Sequence, residues 1–176
     1  MKTENRTQNI ESRTHRIALC GILGALALVL GALEGALPPI PMLPPGAKLG
    51  LSNIAVMYAA QSLGIAPALL LAVIKGLFAG VTRGFTAMVM SLSGGLASAL
   101  LTSLLIRSKR RPLGWIGIGV AGALAHNAAQ LCAAALMTTP ALFWYIPWLL
   151  LFGILTGTLT GVCLRVILPA LEKLRL

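Results

Sequence analysis

The chain has 176 residues, 57% of them hydrophobic and only 10% charged, with a mean hydropathy of +0.90. This balance excludes an ordinary soluble domain and predicts one polytopic membrane domain. A net charge of +10 would suggest nucleic acid for a soluble protein. Here the basic residues sit between apolar runs, with no basic face interleaved with aromatics, so they read as topology determinants and no nucleic-acid partner is expected.

Residues 1–16 are polar and lead into a long apolar run, which predicts a cytoplasmic tail and an uncleaved first helix rather than a signal peptide. The first span covers 17–37. Its small residues recur at four-residue spacing (Gly21 and Ala25, Ala27 and Gly31, Gly31 and Gly35), a ridge that suits close packing within the monomer or docking of a partner helix. Five prolines in residues 38–45 end that helix and impose a stiff turn. Residues 46–62 are apolar but short, and predict a second, tilted span or a re-entrant one, the span being preferred. A break at 63–67 precedes a third span over 68–81, interrupted near its centre by Lys75. The fourth, 85–106, carries SLSGGLAS (91–98), and RSKRR (107–111) ends it. The fifth is the apolar run 113–137, and a loop rich in proline and aromatics, 138–147, follows it. The sixth runs from Trp148 to about Leu164. The expected organisation is a tail over 1–16, a six-span domain over 17–168 and a second cytoplasmic tail over 169–176.

With both termini inside, eleven of the fourteen Lys and Arg residues fall on the cytoplasmic side, in the groups 2–16, 107–111 and 165–175. Positive-inside bias therefore predicts a multi-pass protein of the cell membrane with cytoplasmic termini. Lys48, Lys75 and Arg83 are the exceptions. Lys48 and Arg83 read as interfacial anchors, whereas Lys75 lies at mid-span, where a lysine cannot easily snorkel to water.

The fifth span holds the sequence GALAHNAAQ (122–130). His126 and Gln130 are four apart, so they share a helix face at membrane depth, with Asn127 beside them. Groups of this kind must meet partners or a wet cavity. Following depth along each span places Glu34, Asn53, Lys75, Ser91 and Ser93 in the same layer as His126, Asn127 and Gln130, in the outer half of the membrane. Two readings fit. The polar groups are interhelical hydrogen-bond glue, or they line a pocket open to the outside, in which Lys75 pairs with Glu34 or with an anionic group of a ligand. The candidate ligand-binding residues are Lys75, His126, Asn127, Gln130, Asn53 and Ser91.

No catalytic residue, metal site or cofactor is expected. Cys20, Cys132 and Cys163 lie far apart inside apolar segments, and all four acidic residues are glutamates. Without aspartate the sequence has no aspartate-rich motif to hold magnesium against a diphosphate, and without a phosphate-binding loop it cannot by itself harness ATP.

PPGAKLGLSNI (44–54), SLSGGLAS (91–98), GALAHNAAQ (122–130) and YIPWLLLFGILTGTLTG (145–161), in this order, resemble the Gx transporter family, also labelled heptaprenyl diphosphate synthase component I. That family is similar to the S components of energy-coupling factor (ECF) transporters. The resemblance implies an all-α, six-helix transmembrane bundle with an outward-facing pocket for a small molecule. It also implies a transmembrane coupling subunit driven by ATPases. The alternative it carries is a non-catalytic accessory membrane subunit of isoprenoid-quinone or membrane redox metabolism.

Overall fold

The computed structural model describes residues 2–36, 38, 50–108 and 113–173. Lys48, Lys109, Arg110, Arg111, Arg175 and most of the proline-rich turn lie outside the described residues. Among the described residues there are six α-helices and one 3-10 turn: α1 (Lys2–Ala36), α2 (Asn53–Ser62), α3 (Ile65–Arg83), α4 (Phe85–Arg107), α5 (Trp115–Met137), the 3-10 turn Pro140–Tyr145, and α6 (Ile146–Lys173). All of α1 and α3–α6 contain stretches long and apolar enough to cross a membrane. The protein is a multi-pass, all-helical membrane protein.

The breaks follow local chemistry. Gly84 has φ +91°, a left-handed conformation that a side chain resists, and it separates α3 from α4 in a single residue. Gly64, at φ +101°, closes the two-residue break, Leu63 and Gly64, between α2 and α3. The break expected over 63–67 is therefore narrower than the proline suggested. Pro67 sits in the first turn of α3, where its missing N–H would have no intrahelical partner anyway. At both ends of the chain the helices outrun the apolar runs. α1 continues back through the polar segment to Lys2, and α6 passes Leu164 and Pro169 to Lys173.

The main departure from expectation is α2. Its ten residues reach only about 15 Å, half of a ~30 Å hydrocarbon core, and residues 46–49 of the expected span lie outside the described residues. So short a helix is tolerated because it is enclosed by protein. It touches α1, α3, α4 and α6, and six of its ten residues are buried. Its surroundings tie it to α1 at two levels, one near the C-terminal end and one near the middle of that helix. Gly50 and Leu51, just before α2, donate backbone N–H groups to Glu34 Oε1 at 2.6 and 3.0 Å. Just after it, the Leu63 carbonyl accepts from Arg16 Nη2 at 2.9 Å. Segment 50–63 thus runs antiparallel to α1, between the level of Glu34 and the reach of the Arg16 side chain.

Around this centre α3, α4, α5 and α6 pack side by side in sequence order, with α1 against α2 and α3. The core is Val56, Met57, Leu71, Ala72, Ala99 and Leu164 with their neighbours. Large apolar side chains also cover the outside, including Ile22, Leu26 and Val29 of α1, Leu77 and Val81 of α3, and Leu150, Ile154 and Leu155 of α6. Polar side chains such as Lys75, His126, Asn127 and Gln130 are buried instead. This arrangement suits hydrocarbon as the surrounding solvent.

Candidate functional site

One end of the bundle gathers the C-terminal ends of α1, α3 and α5 and the N-terminal end of α4. Helical spacing sets what these elements present there. On α3, Lys75, Phe78, Ala79 and Thr82 follow the i, i+3, i+4, i+7 pattern of one face. Ala87 and Ser91 on α4, and His126 and Gln130 on α5, are four apart. These stripes, with Glu34, Gly35 and Arg83 and with Gly50 and Ser52 of the α2 lead-in, line a cavity of about 290 Å³. The basic residues Arg16, Arg107 and Arg165 lie toward the opposite ends of their helices.

Each polar group reaches the cavity by a definite route. The stem of Lys75 crosses Gly95 of α4, where a Cβ would stand 3.7 Å from Lys75 Cε. Its Nζ donates to Asn53 Oδ1, at the first residue of α2, at 2.5 Å. The ammonium is thereby held between three helices, only 5% exposed. The His126 ring lies against Gly94, where an added Cβ would come within 2.8 Å of it, so the glycine is what admits the imidazole. His126 and Gln130 are each 3% exposed. Among the described residues, His126 Nδ1 and Gln130 Oε1 have no hydrogen-bond partner. Buried polar atoms in that condition are rare and mark a strained or ligand-binding position. The Glu34 carboxylate is engaged: besides the two backbone amides, Ser52 Oγ lies 3.5 Å from Oε2. It organises the α2 lead-in at the cavity wall.

Of the residues singled out from sequence, Lys75, Ser91, His126 and Gln130 line the cavity together. Asn53 stands behind Lys75 as its acceptor. Asn127 is placed elsewhere. One residue on from His126 is a turn of about 100°, and its Nδ2 donates to the Leu149 carbonyl of α6 at 2.8 Å, beside Gly153. Asn127→Leu should therefore lower the melting temperature of the detergent-solubilised protein by the loss of one interhelical hydrogen bond, about 0.6 kcal/mol. Ligand affinity should be unchanged, and a tenfold loss of affinity in the folded variant would return Asn127 to the site.

Most of the lining is not among the ligand contacts expected from the sequence, Phe78 and Arg83 being the largest side chains so missed. Phe78 was legible in principle, being three residues from Lys75. Arg83 read as an interfacial anchor, yet it is an exposed lining residue at the cavity mouth. It and Lys75 are two of the three exceptions to the charge asymmetry.

Comparison with known proteins sets this geometry in context. The solved structure of the S component of a bacterial ECF transporter matches with a TM-score of 0.65 and 17% identity, over 92% of this chain and 98% of that one. The fold is thus that of an S component. No curated protein matches the chain. The family model for heptaprenyl diphosphate synthase component I matches residues 23–167, from within α1 to within α6. The chain belongs to the heptaprenyl diphosphate synthase component I family.

Proposed function

We propose that this protein is a membrane-embedded substrate-binding subunit, S-component-like, that captures a small molecule for uptake. The observation that carries the reading is the convergence of Lys75, His126 and Gln130, all at least 95% buried, on one cavity of about 290 Å³. Hydrogen-bond glue alone needs no cavity, and a cavity alone needs no buried cation. The volume lies near the lower end of the range for small-molecule sites, ~300–1,000 Å³. The S-component fold supports the same reading.

In this account the termini are cytoplasmic, segment 50–63 supplies the sixth pass, and the cavity opens outward. A separate membrane coupling subunit and ATPases supply the energy, since this sequence has no phosphate-binding loop of its own. The face of α1 carrying Gly21 and Ala25 is exposed and small enough for a partner helix to approach. A prenyl synthase activity, which the family label suggests, is set aside because the sequence contains no aspartate with which to hold magnesium and diphosphate.

The test is mass spectrometry of small molecules released on denaturing the purified protein. The expected result is a compound at near-stoichiometric amount from the wild type, and its loss from the His126→Leu, Gln130→Leu double variant. Equal recovery from both proteins would contradict the reading.

A further inference from the structure

The chemistry of the cavity wall specifies more than a small molecule. We propose that the ligand is a small organic monoanion with an apolar body, a carboxylic acid being the simplest case. This deepens the small-molecule reading above and rests on it.

Among the described residues, three charged side chains line the cavity: Lys75, Arg83 and Glu34. The carboxylate is already engaged, since Oε1 accepts from the Gly50 and Leu51 amides. It keeps its negative charge all the same, and that charge acts on Arg83 across the cavity. Two cations against one carboxylate leave these lining residues with a net charge of +1, with Lys75 deep and Arg83 at the mouth. Lys75 is fixed in advance, its stem laid over Gly95 and its nitrogen braced by Asn53 Oδ1. An ammonium held in this way needs little reorganisation to meet an anion. A carboxylate beside it would make a charge-assisted bond in low dielectric, the strong class of hydrogen bond. A cationic ligand would add to the net positive charge of the lining, and a neutral one would accept a hydrogen bond from Lys75 but leave that charge uncompensated.

Part of the wall is apolar: Phe78 and Ala79, on the same face of α3 as Lys75, and Ala87 of α4 line it. That surface suits a hydrocarbon or aromatic body, with the Phe78 ring available for an offset or edge contact. Gln130 and His126, with orphaned Oε1 and Nδ1 among the described residues, then read a polar substituent on that body. An anionic head, an apolar body and one hydrogen-bonding group match these lining residues.

The experiment compares matched pairs of small carboxylates and their neutral carboxamides, benzoate with benzamide among them, on the purified full-length protein in detergent. Thermal shift and equilibrium binding are both read. The expected result is that carboxylates bind at least tenfold more tightly than their amides. Lys75→Met should weaken the carboxylates by about thirtyfold or more and the amides by much less, so that the preference for the acid is lost. Lys75→Arg keeps the charge and should keep the preference. If Lys75→Met does not fold, the comparison of acid with amide on the wild type decides alone. Equal binding of acids and amides overturns the monoanion while leaving the ligand cavity in place. Binding of neither member of any pair at millimolar concentration overturns both the inference and the small-molecule reading beneath it.

Discussion

Replacing Gln130 with methionine should make the ligand-free protein more stable and its ligand binding at least tenfold weaker. The two effects have one cause. Gln130 is 3% exposed, and its Oε1 has no hydrogen-bond partner among the described residues. A buried unsatisfied polar atom costs about 1–3 kcal/mol, which the unbound protein must carry. Methionine fills nearly the same volume without that penalty and offers a ligand no directional contact. A site selected for binding rather than stability shows this opposition of signs. Interhelical glue would show the reverse, with stability falling and affinity of the folded fraction unchanged. Melting in detergent and equilibrium binding on the same preparation separate the two, and a loss of stability with intact affinity would remove Gln130 from the site.

The second large effect is expected far from the cavity. Gly157 of α6 faces α5 so closely that an added Cβ would stand 2.5 Å from Val120 Cα and 2.8 Å from the Gly119 carbonyl oxygen. These are backbone atoms, which cannot swing aside as a side-chain tip can. Gly157→Leu must push the two helices apart along the seam that positions His126 and Gln130. Overpacking of a well-packed core typically costs 1–3 kcal/mol, and this helix contact should fall at the upper end, about 3 kcal/mol. The matched control is Gly21→Leu, since a Cβ at Gly21 meets nothing within 4 Å. Folded yield by size-exclusion chromatography should collapse for Gly157→Leu and hold for Gly21→Leu. Similar yields for the two would show that the seam has slack.

The helices of this bundle were largely legible because their signals are local. The Arg83-Gly84 break, the basic run at 107 and the apolar stretch to Met137 mark α3, α4 and α5 to within a few residues. What was not legible depends on distant parts of the chain. Apolar length alone could not show that α2 is ten residues long, because its shortness is permitted by enclosure among four other helices. Nor could spacing show that Glu34 would be claimed by amides sixteen and seventeen residues downstream. Within the site, the i, i+4 rule correctly grouped His126 with Gln130. The same rule, strictly applied, separates Asn127 by about 100°, and its partner on α6 could only be found from the packing. Arg83 shows the converse. Its break with the charge asymmetry was visible, but its place at the cavity mouth depends on where α1 and α4 lie.

The central claim is a cavity that opens outward from within the membrane and is filled by a small molecule, and Ser91 tests it most directly. Ser91 is half-buried in the cavity wall on α4. In a chain whose Cys20, Cys132 and Cys163 are replaced by serine, Ser91→Cys can be challenged with a membrane-impermeant thiol reagent on intact cells and on inverted vesicles. The account predicts labelling from the outside only, slowed when the small-molecule fraction released from the wild-type protein is added back. Labelling from the cytoplasmic side, or outside labelling at a rate that this fraction leaves unchanged, would contradict it.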